Sequence, residues 1–238
     1  MAASKADPSL LERLRDPEDR WAGIARDLIW VVGVVALIAL ALFLVSGTWP
    51  AVVAIESGSM VPNMNVGDLV LVVSADRFGN LTTSEDGALT GYGKFNANPN
   101  NAGEYVYGDV IVYQPNGATN IHPIIHRALD YVNESEAATL YRADHAGYIT
   151  KGDHNDISDQ NGTYPGIGRI QPVKREWIIG KALFVIPAVG LLPLNLPLVA
   201  AIVIGLMLLY ELWSWWRRKE PEPEPARSKK GSKQGKGR

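Results

Sequence analysis

The sequence predicts a mostly β fold, in which a compact antiparallel β domain is flanked by two transmembrane α-helices. The first observation is that hydrophobic residues, 47% of the 238-residue chain, concentrate in two runs near its ends. The second is that the segment between these runs holds short β-branched stretches separated by Gly, Asn, Asp and Pro, which is typical of a sheet. The third is that this segment shows neither a long amphipathic helical pattern nor an internal repeat.

The first apolar run predicts a transmembrane helix over residues 28–48, after a cytoplasmic segment of residues 1–27. Residues 28–45 carry no charge, and as a helix they span about 27 Å, close to the hydrocarbon thickness of a bilayer. Trp30 and Trp49 lie near its ends, where aromatic side chains anchor a helix. A cleaved signal peptide fits poorly, because its apolar region is shorter, about 7–15 residues.

The second apolar run predicts another transmembrane helix, over residues 194–216. Its single charge is Glu211, and three tryptophans followed by Arg217, Arg218 and Lys219 mark a cytoplasmic end. Both termini are then cytoplasmic, and residues 49–193 form an extracytoplasmic domain at the cell or secretory membrane. The basic tail, residues 217–238, is too polar to build a core and is predicted to be disordered.

Charge and cysteine content exclude several classes of function. Residues 46–196 carry nine Lys/Arg and fifteen Asp/Glu, and an acidic domain argues against nucleic-acid binding. The chain contains no cysteine, which excludes disulfides, thiolate zinc sites and a thiol nucleophile. Any nucleophile is therefore an oxygen or a nitrogen atom.

Seven β-branched stretches predict the strands of the domain. They are residues 49–56, 69–74, 110–113, 121–131, 139–143, 148–150 and 177–185. Residues 79–108 are instead rich in Gly, Asn, Ser and Thr, and are predicted to form a surface insertion.

A serine turn follows the first predicted strand and is the first candidate for chemistry. Ser57-Gly58-Ser59-Met60 precedes a proline, so the serines lie on a turn from which a hydroxyl can project. Further along come GDLVLV, GDVIVY, IIHRAL and TKGD, in this order. The set resembles the type I signal peptidase family over about residues 46–190, and is most similar to the archaeal and eukaryotic secretory branch, which has a His where bacterial enzymes have a Lys.

The resemblance implies a serine endopeptidase that cleaves signal peptides from exported preproteins, and it assigns roles. Ser59 matches the nucleophile of S-x-S-M-x-P, and His126 matches the general base, since imidazole accepts protons near neutral pH. Asp159 is favoured to orient His126, and Asp153 to support the site. Ser57 and Met60 are assigned to the substrate groove or the oxyanion pocket.

Several alternatives stay open at this stage. Asp156 also competes to orient the histidine, and His122 is the nearest rival of His126, although a structural hydrogen bond is expected for His122 and for His145. The chain departs from the family pattern at two positions, His154, where Asn is usual, and Asn63, where Thr is frequent. His154 leaves open whether a second imidazole influences the site.

Metal chemistry is disfavoured, and no cofactor is predicted. Counted from Asp153 as a calcium loop, the sixth residue is Ser158 and the twelfth is Tyr164, where Gly and Glu are required. The expected partners are preprotein signal peptides and the lipid bilayer, with contacts to the secretion translocon left open. The competing interpretation is a non-catalytic membrane-anchored β domain, a pseudoenzyme or an assembly module.

Overall fold

The computed structural model describes residues 20–95 and 106–217, which fall into two compact units divided after Leu194. The predicted cytoplasmic segment up to residue 19, residues 96–105 of the predicted insertion, and the predicted tail from residue 218 onward lie outside the described residues.

The first unit begins with helix α1 (Arg20–Ser46), which is long and apolar enough to cross a membrane. Its end is fixed to the β domain, because the Ser46 carbonyl accepts a hydrogen bond from the Ser74 backbone N–H at 2.9 Å. The Arg77 guanidinium donates to the Leu44 carbonyl at 2.6 Å and so caps one of the unpaired carbonyls of the last turn. The helix is therefore joined to the domain by hydrogen bonds as well as by the chain.

Eight strands follow within the described residues, and six of them form one sheet. Their bounds are β1 (Val52–Ala54), β2 (Leu69–Val73), β3 (Val110–Tyr113), β4 (Ile124–Val132), β5 (Gly147–Lys151), β6 (Thr163–Tyr164), β7 (Gly168–Arg169) and β8 (Ile178–Ile186). The large sheet has the order β1-β2-β8-β3-β4-β5, and every neighbouring pair is antiparallel. The short β6 and β7 form a separate two-stranded sheet.

The sheet follows from the burial of its apolar strands. All four residues of β3 are buried between β8 and β4, as the uninterrupted sequence VIVY requires of an interior strand. The predicted strand 110–113 is confirmed to the residue, and five of the other predicted strands overlap observed ones. Strand β1 is shorter than predicted, and β6 and β7 were missed because each has only two residues.

The predicted strand over residues 139–143 is wrong, because this stretch lies in a π-helical turn, Ala137–Tyr141. The short helix α3 (Glu134–Glu136) precedes it and begins with a capping box. The Asn133 side chain accepts from the Glu136 backbone N–H, and the Glu136 carboxylate accepts from the Asn133 backbone N–H. This local start of a helix outweighs the β propensity of the residues that follow.

The described part of the predicted insertion contains helix α2 (Ser84–Thr90) and packs onto the sheet through buried polar groups. Asp109, fully buried before β3, accepts from the Thr82 backbone N–H at 3.0 Å and from the Tyr92 hydroxyl at 2.8 Å. The buried Lys181 of β8 donates to the Gly79 carbonyl at 2.9 Å. These contacts make the segment part of the folded domain.

The first unit ends in the short helix α4 (Leu191–Leu194), and the second consists of helix α5 (Leu196–Arg217), long and apolar enough to cross a membrane. The two long helices contribute 27 and 22 residues, so the described chain has a mixed α/β composition. Along the chain, an apolar helix is followed by the six-stranded antiparallel sheet and then by a second apolar helix. This agrees with the predicted order of elements. The prediction of a mostly β chain holds only loosely.

Candidate active site

Ser59 lies in a single 3-10 turn, Gly58–Met60, on the connection from β1 to β2. Met60 and Met64 are fully buried in the core, which anchors the turn, whereas Ser59 stays partly exposed. Its Oγ atom lies 3.2 Å from the Oγ atom of the exposed Ser57. The Met60 side chain packs in the core, so its predicted role in the substrate groove or oxyanion pocket stays a prediction.

His126 lies in β4, where it pairs with Ile111 of β3. The residue is 4% exposed, and its Nδ1 atom lies 2.6 Å from Oδ2 of Asp159, which is 1% exposed. Because an ionised carboxylate only accepts hydrogen bonds, Nδ1–H is the donor, and Nε2 keeps a lone pair that can take a proton. The histidine is thus oriented as a general base requires.

Three hydroxyl groups surround the carboxylate of Asp159. Thr150 Oγ1 and Tyr113 Oη lie 2.6 and 2.8 Å from Oδ2, and Tyr164 Oη lies 2.6 Å from Oδ1. The Gln160 amide fixes the threonine in turn, because its Oε1 accepts from the Thr150 backbone N–H at 3.0 Å. Both carboxylate oxygens are therefore held in place, and with them the imidazole ring.

These contacts keep Asp159 ionised although it is buried. Burial alone raises the pKa of this carboxyl, but the hydrogen bonds from His126, Thr150 and Tyr164, together with the electrostatic attraction that His126 adds when its ring is protonated, outweigh it and lower the pKa below its ordinary value. Burial and the neighbouring carboxylate raise the pKa of Tyr164, so its hydroxyl keeps its proton and remains a donor.

The lowered pKa of Asp159 predicts a pH-dependent contribution to stability. The unfolded chain binds this proton more tightly than the folded protein, so the stabilisation is fully present above about pH 4 and is lost as pH falls through the folded-state pKa. We expect Asp159→Asn to lower the thermal unfolding midpoint at pH 7, with the difference from the unmutated protein shrinking below pH 4. A difference that stays constant from pH 7 to pH 3 would contradict this assignment.

The serine turn and His126 both approach Gly152 closely. A Cβ atom there would lie 2.5 Å from the Ser59 carbonyl oxygen and 2.9 Å from His126 Nε2, so only glycine permits this approach. The His154 backbone N–H donates to the Ser59 carbonyl at 2.9 Å and holds the turn against the loop after β5. Within the described chain Ser59 Oγ is paired with Ser57, and no hydrogen bond joins it to Nε2, a contact that often tightens only when substrate binds.

Asp153 forms a buried ion pair with Arg127, and no hydrogen bond joins it to His126 among the described residues. The guanidinium Nε and Nη2 atoms each lie 2.7 Å from a different carboxylate oxygen, and Asn63 Nδ2 donates to Oδ2 at 2.7 Å. Arg127 Nη1 also donates to the Lys94 carbonyl at 2.8 Å, so the pair joins β4, the loop after β5 and the segment before β3. Asp153 thus supports the architecture of the site.

The remaining histidines and Asp156 lie away from this proton path. Asp156 and His154 are exposed and line a separate polar cavity, and neither hydrogen-bonds to His126 in the described chain. His145 is bound to Gln171 through Nε2 and packs edge-on against Trp177, as a structural histidine does. His122 Nδ1 lies 2.9 Å from Glu56 Oε2 at the surface.

The support around the site was largely missed by sequence reasoning. Tyr113 and Tyr164 come from a buried strand and a two-residue strand, and nothing in their local sequence points to Asp159. Arg127 gave a usable signal, because it directly follows the predicted base in a strand and a charge in a buried strand requires a partner. Thr150 could also have been found from the sequence, because it is the first residue of the motif TKGD.

A cavity of about 370 Å³ brings the predicted residues together. Ser57, Ser59 and His126 line it with Asn155 and Tyr164, and most other lining residues are apolar. These are Val53 and Ala54 of β1, and Ile121, Pro123, Ile124, Ile125 and Ile167. An apolar cleft with a hydroxyl and an oriented imidazole at one end is suited to acyl transfer.

Comparison with known proteins adds no assignment to this geometry, because no protein-family model and no curated protein matches the chain.

Proposed function

We propose that this chain is a membrane-bound serine endopeptidase of the type I signal peptidase kind, which cleaves signal peptides from exported preproteins at the outer membrane surface. The observation that carries the proposal is that His126, oriented by the buried Asp159, opens with Ser59 into one apolar cavity. The motif order from the serine turn to TKGD supports the same conclusion.

The proposed reaction passes through an acyl-enzyme. Ser59 Oγ attacks the scissile carbonyl carbon while His126 Nε2 takes its proton, and the resulting imidazolium is stabilised by the Asp159 carboxylate. The imidazolium then gives the proton to the leaving amine, and the peptide C–N bond breaks. A water molecule, deprotonated by His126, hydrolyses the ester and restores the Ser59 hydroxyl. We assign the Ser57 hydroxyl, whose Oγ atom lies 3.2 Å from Ser59 Oγ, as a donor to the oxyanion.

The proposed substrate is an extended peptide with apolar and small side chains near the cleavage site. Among the described residues, strand β1 is an edge strand that pairs with β2 alone, and Val53 and Ala54 line the cavity that contains Ser59. An extended chain can pair with such an edge by backbone hydrogen bonds and turn alternate side chains into the cavity. A signal peptide offers such a chain, with small residues before its cleavage site.

The membrane location is supported by the two apolar helices and by an apolar sheet face. Ser59 follows Trp49 by ten residues, so it lies at most about 36 Å from that residue. Strand β8 exposes Phe184 and Ile186, which pair in register with Leu71 and Leu69 of β2. Exposed apolar surface of this kind favours contact with lipid, and a site held there meets membrane-bound substrates by a local search.

The test is cleavage of a preprotein by the full chain in liposomes, comparing Ser59→Ala with Ser57→Ala as the matched control. We expect Ser59→Ala to abolish cleavage, and Ser57→Ala to reduce it by about 10²- to 10³-fold, as loss of one oxyanion donor does. Unchanged processing by Ser59→Ala would exclude the serine mechanism. A folded unmutated chain that cleaves no preprotein would favour the non-catalytic membrane-anchored β domain.

A further inference from the structure

Glu56 is an acidic residue that lines the cavity that contains Ser59. It lies two residues after β1 and three residues before Ser59, and it lines the same cavity as Ser59 and His126. Its side chain is 53% exposed, so the carboxylate is accessible from outside as well as from the cavity. A substrate lying along the edge of β1 toward Ser59 therefore passes this carboxylate.

The partner of Glu56 is an exposed histidine from another segment of the cavity lining. His122 Nδ1 lies 2.9 Å from Glu56 Oε2, and His122 belongs to the segment that leads into β4. The His122 side chain is 83% exposed. Exposed pairs of this kind contribute little to stability, so a cationic group of a substrate can replace the imidazole at low cost.

The rest of the described cavity lining does not offset the charge of Glu56. Of the described residues that line the cavity, Glu56 alone carries a carboxylate, and none is Lys or Arg. The nearby Arg127 is fully buried and bound to Asp153, so it does not face the cavity. In an apolar cleft, one exposed carboxylate attracts a cationic side chain and repels an anionic one.

We propose that Glu56 is a specificity-determining residue, which favours substrates with Lys or Arg at one position near the scissile bond over substrates with Asp or Glu there. This inference rests on the proposed peptidase function. For an accessible charge pair at low salt, the expected discrimination between Lys and Glu at that position is about 5-fold in kcat/KM.

The experiment measures kcat/KM of the full chain in a zwitterionic detergent at low ionic strength. The substrates are peptides of one parent sequence that carry Lys, Gln or Glu at each single position around the cleavage site. We expect the unmutated chain to show a Lys-over-Glu preference at one position, Glu56→Gln to remove it, and Glu56→Lys to reverse it. Ratios within each variant are compared, so differences in absolute activity cancel.

Two further variants separate Glu56 from its surroundings. His122→Gln removes the imidazole and leaves the carboxylate, so the preference is expected to persist or to increase. Glu134→Gln removes the same net charge from α3, outside the cavity lining, and is expected to leave the ratio unchanged. Raising the salt concentration is expected to weaken the preference.

The possible outcomes distinguish this inference from the proposed function. Cleavage of the Gln peptides with no charge preference at any position, or a preference that survives Glu56→Gln, overturns the role of Glu56 and leaves the peptidase assignment standing. Failure to cleave any peptide or preprotein contradicts the proposed function itself, and the role of Glu56 falls with it.

Discussion

Replacing His126 with glutamine is expected to lower kcat by about 10⁴-fold or more, while the chain remains folded. The amide of glutamine can hydrogen-bond to Asp159 but cannot take a proton from Ser59, so the substitution removes the base and keeps much of the packing. The measurement is single-turnover cleavage of a preprotein by the purified full chain, with circular dichroism as the control for folding.

The double variant Ser59→Ala/His126→Gln tests whether the two residues act in the same step. If the two residues act in one proton transfer, the double variant cleaves no more slowly than either single variant, because each substitution already removes the same step. Effects that multiply would show that the residues act independently. Activity of His126→Gln within 10-fold of the unmutated chain would exclude His126 as the base.

The second large effect is expected for Arg127→Met, and it concerns stability. Arg127 is fully buried, and so, almost completely, is the Asp153 carboxylate. Methionine at position 127 leaves this carboxylate with the Asn63 amide as its one side-chain partner within the described part of the chain. Breaking one half of a buried ion pair costs about 3–5 kcal/mol. For a domain of this size that lowers the thermal unfolding midpoint by on the order of 10 °C. The measurement is thermal unfolding of the full chain in detergent.

Arg175→Met serves as the matched control. Arg175 pairs with Asp76 at the surface, and because both side chains are well exposed, little change in the unfolding midpoint is expected. The double variant Arg127→Met/Asp153→Leu removes both buried charges and is expected to recover much of the loss. Equal effects of Arg127→Met and Arg175→Met would contradict the account of the buried pair.

The order of elements could be predicted because each rests on a local pattern. An uncharged run of membrane length predicts an apolar helix, and VIVY predicts an interior strand, since both patterns report burial directly. The stretch 139–143 was predicted wrongly because the strand propensity of Thr139 and Tyr141 carried more weight than the capping box that Asn133 and Glu136 form. Asn-x-x-Glu is a weaker pattern than the usual Ser/Thr form, but its physical effect here is the same.

The candidate site was predictable only where a motif names a residue. Ser59, His126 and Asp159 followed from the family resemblance, yet spacing alone could not choose among Asp153, Asp156 and Asp159. The choice depends on the sheet order, which brings Tyr113 of β3 and Thr150 of β5 to either side of β4 and so creates the buried place for one carboxylate. Met60 was assigned by its position in the motif, and the burial of its side chain could not be read from that position.

The most direct test is a structure of the full chain bound to a peptide aldehyde that spans the cleavage site. An aldehyde carbon accepts a nucleophilic oxygen and mimics the tetrahedral intermediate. The predicted result is a covalent bond to Ser59 Oγ, with His126 Nε2 within about 3 Å of that oxygen and Nδ1 still bound to Asp159. A bond to Ser57 Oγ or to another residue, or an imidazole turned away from the adduct, would contradict the proposed mechanism.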